Sequence, residues 1–263
     1  MNIKNFDTFR KDFLVAISFD GSKFNEENWL KFLHKYFDND EVHRIHQEII
    51  YDLTFFRKHD PASQEYFFKK ILQVRRGMMA VVAHRVFQHI LSQDNSRDVL
   101  YELEFIDRFV QEVTDIEIHP SVKIGQSFAI DHGHGTVIGQ TTEIGDRVFL
   151  YHGITLGATG NHSKEGRRHP KIGNDIFFGS GSQILGPSIL KNNIVVGAEA
   201  IVVDSIVESN VKISPAAVIS RAVVPQGYHV FAYDPLSQQH IVREASDKTY
   251  KKVTLEKVEI KDL

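Results

Sequence analysis

The sequence has no cysteine, no long apolar run and no marked excess of charge. Without cysteine, disulfides, thiolate zinc sites and cysteine nucleophiles are excluded. Since no apolar run reaches the roughly 18 residues of a membrane span, none is expected. The 31 basic and 34 acidic residues give a net charge of −3, so neither nucleic acid nor an anionic membrane is expected as a partner. The first residues, MNIKNFDTFRKDF, lack the apolar core of a signal peptide, which predicts a cytoplasmic protein.

Glycine and proline are scarce in the first part of the chain. Residues 1–116 hold only two of the 17 glycines and one of the seven prolines. Apolar residues there recur at spacings of three and four, which indicates helices. The clearest stretches are 29–37, 81–91 and 99–110. Asp60-Pro61 is typical of a helix start, with Asp as the N-cap and Pro at the first helical position. We therefore predict an α-helical domain over residues 1–116.

Beyond this domain an apolar residue recurs every six positions. Sixteen such anchors fall in four regular blocks: Ile118, Ile124, Ile130; Ile138, Ile144, Leu150, Leu156; Ile172, Phe178, Ile184, Leu190, Val196, Val202; and Val207, Ile213, Ile219. Glycine directly follows seven of them. A period of six fits a short strand plus a turn, with three such units forming one triangular coil of about 18 residues.

This repeat predicts a left-handed parallel β-helix over residues 117–225, and hence an α+β fold. The anchors should point inward and stack from coil to coil, and glycine should supply backbone freedom at the corners. The alternative is an ordinary β-sandwich with a chance period. Residues 226–263 are expected to form a C-terminal tail whose charged end is partly disordered or a short strand.

The first interruption of the period contains histidine. The spacing from Ile130 to Ile138 is eight, and the two extra residues fall within 131–135, Asp-His-Gly-His-Gly. Loops and irregular turns on a rigid scaffold are common places for function. This break therefore predicts part of a site.

A second, longer interruption also contains histidine. The spacing from Leu156 to Ile172 is 16, which we interpret as two hexads plus four residues, and the polar segment 158–170 should leave the coil as a loop. The spacing from Val202 to Val207 is one residue shorter than the period of six, which predicts a deletion at a corner.

Several motifs are distinctive in their order and spacing. They are Ile118-His119-Pro120, Ile130-Asp131-His132-Gly133, Val137-Ile138-Gly139, Gly153-Ile154-Thr155-Leu156-Gly157-Ala158-Thr159-Gly160 and Arg168-His169-Pro170-Lys171-Ile172-Gly173, preceded by Asp60-Pro61-Ala62 and by Arg76-Gly77 leading to Ala83-His84-Arg85-Val86. Together they resemble the serine acetyltransferases of the hexapeptide-repeat family. The resemblance implies transfer of an acetyl group from acetyl-CoA to L-serine, the first step of cysteine biosynthesis from serine, without a cofactor, a metal or a covalent acyl-enzyme. It also implies a trimer, often paired into a hexamer through the helical half.

The resemblance also assigns roles to the histidines and carboxylates. His132 would be the general base that activates the serine hydroxyl. Its carboxylate partner falls at Glu117, where the family usually has Asp, with Asp115 as the fallback. His169 would be a second histidine at the site, binding substrate or assisting proton transfer.

Substrate groups are assigned in the same way. Arg168 would bind the serine carboxylate, while Asp60 and Asp131 would bind its ammonium group. The alternative interpretation of Asp60 is that it is only a helix cap. Acetyl-CoA would lie in a groove between neighbouring subunits, and its contacts by resemblance are Ala158, Thr159, Ser180 and Ala198.

Other functions are compatible with the same repeat. A related acetyltransferase could act on a sugar or a xenobiotic. A zinc hydratase like the γ-type carbonic anhydrases would use histidines such as His132, His134 and His152. A non-catalytic scaffold is the third alternative. A complex with O-acetylserine sulfhydrylase through the C-terminus is a further expectation, although this chain ends in leucine where many family members end in isoleucine.

Overall fold

The structure is a computed structural model and describes residues 3–18, 23–160, 167–234, 239–244, 249 and 251–257. The chain forms two compact units. The first comprises residues 1–121 and 126–134, and the second comprises residues 122–125 and 135–263. Among the helices that the structure describes, none combines the length and the apolar character needed to cross a membrane.

The first unit contains the helices. They are α1 (Phe6–Ala16), α2 (Glu26–Tyr36), α3 (Asn39–His59), α4 (Phe68–Val74), α5 (Arg76–Gln93) and α6 (Arg97–Thr114), with a short 3-10 helix at Pro61–Ser63. The stretches predicted to be helical fall in α2, α5 and α6, so these predictions are confirmed.

Side-chain caps fix where several of these helices begin. Asp38 and Glu41 form a capping box at the start of α3, each side chain accepting a hydrogen bond from the other's backbone N–H at 2.9 Å. Asp60 accepts a hydrogen bond from the backbone N–H of Ala62 at 3.0 Å, and Pro61 is the first residue of the 3-10 helix. The predicted helix start at Asp60-Pro61 is therefore confirmed, for a helix of a single turn.

The strands that the structure describes are short and are numbered in chain order. They are β1 (Ile116–Ile118), β2 (Lys123–Ile124), β3 (Phe128–Ile130), β4 (Thr136–Ile138), β5 (Glu143–Ile144), β6 (Val148–Leu150), β7 (Thr155–Gly157), β8 (Lys171–Ile172), β9 (Ile176–Phe178), β10 (Gln183–Leu185), β11 (Ile189–Leu190), β12 (Ile194–Val196), β13 (Ile201–Val203), β14 (Ile206–Val207), β15 (Lys212–Ile213), β16 (Val218–Ser220), β17 (Ala222–Val224), β18 (Tyr228–Asp234), β19 (Gln239–Glu244), β20 (Lys251–Val253) and β21 (Glu256–Lys257). β1 and β3 belong to the first unit, where β1 packs on α6 and β3 on α3 and α5.

The second unit is a parallel β-helix with three sheets, because each strand of the repeat pairs with the strand three positions further along the chain. Its sheets run β4-β7-β10-β13-β16, then β2-β5-β8-β11-β14-β17 and then β6-β9-β12-β15-β18. Ile184 pairs with Val202, a register of 18 residues. Ile189 pairs with Ile206, a register of 17, so the deletion predicted between Val202 and Val207 is confirmed.

The sixteen predicted anchors fill the interior of the repeat. Each is no more than 5% exposed, and most are at or near zero. Burying a side chain of this size stabilises a fold by about 1.5–3 kcal/mol. The inward-facing assignment of the anchors is confirmed.

The glycines that follow the anchors have a different purpose from the one predicted. None of the seven has a positive φ. Instead, most of them let successive coils approach closely: a Cβ on Gly173 would lie 2.2 Å from the carbonyl oxygen of Lys191, and one on Gly179 would lie 2.4 Å from the backbone nitrogen of Ala198. Backbone freedom at the corners was therefore the wrong reason for these glycines.

Left-handed backbone conformations at one corner are carried by polar residues. Arg147, Asp175, Asn193 and Asn210 all have φ between 55° and 61°. Their side chains form two pairs, each between adjacent coils. Arg147 makes a bidentate ion pair with Asp175 at 2.6 and 2.8 Å, and Asn193 donates to Asn210 at 2.7 Å. Asn and Asp tolerate this conformation better than most residues.

The register across the second interruption gives its true length. Glu143 pairs with Lys171 and Val148 with Ile176, in each case 28 residues apart in place of the usual 18. Ten residues are therefore inserted at this corner, so the prediction of two hexads plus four residues was wrong. Residues 161–166 of the predicted loop lie outside the described residues.

The segment after the last coil contains more strand than the sequence suggested. β18 continues the parallel sheet by pairing with β15, and β19 and β20 add to it in antiparallel fashion. β21 pairs antiparallel with β17. The described part of residues 226–263 therefore extends two of the sheets of the repeat.

A buried ion pair joins the helices of the first unit to its strand β3. Arg85 on α5 makes a bidentate contact with Asp52 on α3 at 2.7 and 2.9 Å, and both side chains are at most 2% exposed. The same carboxylate accepts a hydrogen bond from the backbone N–H of Phe128 at 2.8 Å. Because the carboxylate accepts three hydrogen bonds, two of them from Arg85, neither charge is left unpaired in the interior.

We expect Asp52→Asn to lower the free energy of unfolding by about 3–5 kcal/mol, because it leaves the Arg85 guanidinium buried without its carboxylate. The matched control is Asp175→Asn, which breaks an ion pair of the same bidentate geometry whose side chains are about half exposed. That change should cost less than about 1 kcal/mol. Urea denaturation at one protein concentration measures the free energy of unfolding of both variants. Equal losses of stability would contradict this interpretation.

Gly173→Ala should destabilise the protein by about 1–3 kcal/mol, since the added methyl group forces two coils apart. Gly157→Ala is the control, because a Cβ there meets no atom nearer than 3.0 Å. Thermal unfolding of the two variants compares their stabilities. A Gly173→Ala variant as stable as Gly157→Ala would refute the close-packing explanation.

Candidate active site

His132 lies on a left-handed turn directly after β3. Its φ is 60°, a conformation uncommon for a residue other than glycine, and its side chain is 58% exposed. Gly133 follows with a φ of 83°, and a Cβ there would lie 2.4 Å from Ile116 Cδ1 and 2.7 Å from Ile130 Cγ2. Only glycine fits at this position, so the turn holds the imidazole of His132 away from the core.

The turn is supported by a helix of the same unit. A Cβ on Gly77 would lie 2.2 Å from the carbonyl oxygen of Ile130, so the backbone of α5 touches the last residue of β3. This contact explains the glycine in the Arg76-Gly77 motif.

Asp131 is the carboxylate that the structure brings to His132. It is 8% exposed, and its Oδ1 accepts a hydrogen bond from the backbone N–H of His132 at 3.0 Å. Its Oδ2 is 3.7 Å from His132 Nε2. This carboxylate can therefore stabilise a protonated imidazole.

Glu117, the partner predicted for His132, lies exposed on β1. The pairing of Glu117 with His132 stays a prediction.

The carboxylate of Asp60 already has partners within the first unit. Oδ2 accepts a hydrogen bond from Ser63 Oγ at 2.5 Å and pairs with Arg75 Nη2 at 2.8 Å, while Oδ1 accepts from Ala62 N–H. With the side chain only 7% exposed, the capping role of Asp60 is visible in the structure. A contact with substrate stays a prediction.

Arg168 and His169 stand at the returning end of the inserted segment in the second unit. Arg168 is exposed, and its Nη2 donates to Gln140 Oε1 at 3.4 Å. His169 is 6% exposed, and its Nδ1 lies 3.2 Å from the backbone nitrogen of Thr141 and 2.8 Å from Thr141 Oγ1. Both residues therefore contact the turn that follows β4, one coil earlier.

Arg167, the residue before this pair, binds backbone carbonyls. Its guanidinium donates to the carbonyl oxygens of His169 at 3.0 Å, Ser188 at 3.3 Å and Pro187 at 2.8 Å. Burial lowers the pKa of the Arg167 guanidinium from its ordinary value. This side chain ties the end of the insertion to the following coil.

The residues predicted to bind acetyl-CoA occupy two corners of the β-helix. Ser180 and Ala198 are equivalent positions in successive coils, after β9 and β12. Ala158 and Thr159 follow β7, at the other edge of the sheet that contains β10 and β13. The structure therefore brings Ser180 near Ala198 and separates both from the other two residues.

The contacts of Gln140, Thr141 and Arg167 were missed from the sequence. Gln140 and Arg168, and likewise Thr141 and His169, are 28 residues apart, which is the register of the strands on either side of the insertion. Counting the insertion as ten residues would have revealed both contacts.

A buried carboxyl lies close to Glu117. Asp107 on α6 is 4% exposed, and its Oδ2 accepts a hydrogen bond from Gln111 Nε2 at 2.7 Å. Burial raises the pKa of Asp107 to about 7, assisted by the negative charges of Glu117 and Glu104 and opposed by the Gln111 hydrogen bond. The charge next to Glu117 therefore changes near neutral pH.

Known proteins share this architecture. No family model matches the chain. A serine acetyltransferase of Helicobacter pylori is 38% identical over 159 residues, which cover 60% of this chain and 88% of that protein. One of Staphylococcus aureus is 33% identical over 199 residues, covering 73% and 90% of the two chains. The Neisseria gonorrhoeae serine acetyltransferase in complex with serine superimposes with a TM-score of 0.56 at 28% identity, covering 81% of each chain.

A helical unit followed by a β-helix of hexapeptide period defines the class as a hexapeptide-repeat acyltransferase. The sequence identity to these proteins, and the share of their length that it covers, also show that the chain belongs to the serine acetyltransferase family. The predicted α+β fold with a left-handed parallel β-helix, the family and the acyltransferase activity are confirmed.

Asp107→Asn is expected to stabilise the protein increasingly as pH rises. A carboxyl whose pKa is near 7 when folded and near its ordinary value of about 3.9 when unfolded binds its proton more tightly in the folded state. Its contribution to stability is full below about pH 4 and is lost as pH rises towards 7. The variant should therefore exceed the parent by roughly 2–4 kcal/mol at pH 8 and by little at pH 4, in urea denaturation.

The control for this pH series is Glu112→Gln, which removes an exposed carboxyl from the same helix. Its difference from the parent should not vary with pH. A flat difference for Asp107→Asn as well would show that Asp107 ionises normally.

Proposed function

We propose that this protein transfers the acetyl group of acetyl-CoA to the hydroxyl of L-serine, giving O-acetyl-L-serine and CoA. The observation that carries the proposal is His132, exposed on a turn that leaves its ring no place in the core and next to the carboxylate of Asp131. Membership of the serine acetyltransferase family supplies the substrate.

In this proposal His132 acts as the general base. A serine hydroxyl is a weak nucleophile near neutral pH, so a base must take its proton as the oxygen attacks the thioester carbonyl. The tetrahedral intermediate then breaks its carbon–sulfur bond, and the imidazolium returns the proton to the leaving thiolate. The acetyl group passes directly to serine, without a covalent acyl-enzyme.

Carboxylates stabilise the imidazolium formed in the first step. Asp131 is supported for this role by its 3.7 Å distance to the ring. Glu117 remains our proposal for a second partner, reached by a side-chain rotation, and Asp107 would then influence it through charge repulsion.

The zwitterionic substrate needs groups of both signs. We propose that Arg168 binds the carboxylate, because its guanidinium is exposed and donates a hydrogen bond to Gln140, an uncharged residue. Asp131 would bind the ammonium group. Asp60 would assist only by sharing its carboxylate with Arg75, which makes it the weaker candidate.

Acetyl-CoA is proposed to bind between neighbouring copies of the chain. This arrangement is supported by the separation of Ser180 and Ala198 from Ala158 and Thr159, since corners of two adjacent β-helices can line one groove. A trimer, or a dimer of trimers, would form this groove between neighbouring copies. The proposed complex with O-acetylserine sulfhydrylase would use the last residues, which lie outside the described part of the chain.

The test is release of free CoA thiol from acetyl-CoA by the purified protein, with L-serine compared with amino sugars. We expect turnover with serine, and we expect His132→Ala to lower kcat by about 10²- to 10⁴-fold, because the loss of a general base affects the chemical step. The KM for acetyl-CoA should change little.

His134→Ala is the matched control, an exposed histidine two residues further on that the zinc hydratase alternative would require. It should keep nearly full activity. Turnover with an amino sugar but not with serine would replace the proposed substrate. A His132→Ala variant with unchanged kcat would move the base elsewhere.

A further inference from the structure

The outward-facing side chains of one sheet change character along the β-helix. In the sheet that contains β9, β12 and β15, these residues pair in register from strand to strand. The row that they form consists of Phe149, Phe177, Val195, Lys212, His229 and Arg243. Its first three members are apolar and its last three are basic, and the six include no carboxylate.

The three basic residues lie side by side on adjacent strands. Lys212 on β15 pairs in register with His229 on β18, which in turn pairs with Arg243 on β19. Like charges that face each other across neighbouring strands destabilise a sheet. Burial lowers the pKa of His229, and the positive charges of Arg243 and Lys212 lower it further. Positive charge is therefore concentrated at this end of the sheet, which favours a bound anion.

An aromatic ring borders the basic end of the row. The ring of Phe231 packs against the imidazole of His229, with centroids 3.9 Å apart. The guanidinium of Arg243 lies 5.7 Å from the centroid of the same phenyl ring, a cation–π contact. Phe231 and Arg243 are both partly exposed. Aromatic and guanidinium planes next to positive charge are a combination that binds the bases and phosphates of nucleotides.

The basic residues adjoin the corner proposed for the arm of acetyl-CoA. Ser180 follows β9 and Ala198 follows β12, and the next strand of the same sheet, β15, carries Lys212 and leads into Ser214. The hydroxyl oxygen of Ser214 lies 3.0 Å from His229 Nε2. Successive strands are about 4.8 Å apart. An extended ligand that lies along Ser180 and Ala198 therefore reaches the basic residues one coil further.

We propose that Lys212, His229 and Arg243 bind the phosphates at the nucleotide end of acetyl-CoA. The ring of Phe231 stacks on the adenine. This inference rests on the proposed function, because the thioester and the nucleotide are at opposite ends of the pantetheine arm. The family resemblance assigns none of these four residues to acetyl-CoA, and β18 and β19 lie beyond the last hexad anchor.

The phosphates can be removed from the acetyl donor in steps. We compare acetyl-CoA, its 3′-dephospho form and acetyl-pantetheine, each with saturating L-serine. Lys212→Gln and Arg243→Met should each raise the KM for acetyl-CoA about ten- to hundredfold, the effect of one charge-assisted hydrogen bond, with kcat and the KM for serine nearly unchanged. With acetyl-pantetheine both variants should match the parent, because that donor has no nucleotide.

Lys257→Gln is the matched control, since it removes an exposed lysine from β21 in another sheet. It should keep the parent's kinetics with all three donors. Lys212→Glu is a second variant, because a charge reversal at an exposed position leaves the core intact. It should raise the KM for acetyl-CoA more than Lys212→Gln does, with the same thermal unfolding as the parent.

Direct binding tests the site apart from catalysis. Isothermal titration calorimetry measures the affinity for adenosine 3′,5′-bisphosphate and for inorganic phosphate, without serine or an acetyl donor. We expect the parent to bind the nucleotide much more tightly than inorganic phosphate, and Lys212→Glu to bind the nucleotide about tenfold more weakly or worse. If the parent binds the nucleotide in this way but acetylates no serine, the proposed function fails and the nucleotide site stands.

Three results would overturn the inference. One is an unchanged KM for acetyl-CoA in both Lys212→Gln and Arg243→Met. Another is an equal loss of activity with acetyl-pantetheine, which indicates a structural effect of the substitutions. The third is inorganic phosphate bound as tightly as the nucleotide, which indicates a general anion site.

Discussion

The β-helix depends on one constraint, which is that each strand hydrogen-bonds at a fixed register to the strand one coil earlier. A spacing of 17 or 18 residues keeps the same side chains facing inward in every coil, as Ile184 and Val202 do. Burial of these anchors supplies the main stabilisation, and the constraint also limits the space between coils. Glycine after an anchor follows from this spacing, because a Cβ at Gly173 would reach the backbone of the next coil.

The same constraint explains why the polar chemistry is concentrated at corners. Extra residues inside a strand would turn its inward side chains outward, so insertions are tolerated only between strands. The ten residues inserted between β7 and β8 satisfy this rule, since pairing resumes without distortion at Lys171 and at Ile176. An insertion bounded by two fixed strands has fixed ends. Arg168 and His169 stand at such an end, which gives them defined partners although they belong to a loop.

The sequence predicted what repetition and local chemistry determine. The anchors, the deletion after Val202 and the cap at Asp60 all depend on residues close together in the chain, and all are confirmed. The length of the insertion was misjudged because an unanchored polar segment can be counted in hexads in more than one way. Asp107 was missed for another reason. Its burial and its repulsion by Glu117 arise only when α6 packs on β1, and a helical pattern alone does not show this.

His132 and His169 show two ways of fixing a histidine before substrate arrives. His132 occupies a left-handed conformation that costs about 1–2 kcal/mol for a residue other than glycine, and it persists because Gly133 and the neighbouring isoleucines leave the turn no alternative. That arrangement leaves the ring exposed. His169 is held through its ring, because its Nδ1 lies within hydrogen-bond distance of the backbone nitrogen and the hydroxyl of Thr141. An exposed ring suits a group that must gain and lose a proton, whereas a buried ring held at one nitrogen suits a group with a fixed orientation. The difference in their surroundings is therefore a physical argument for expecting different roles of the two histidines.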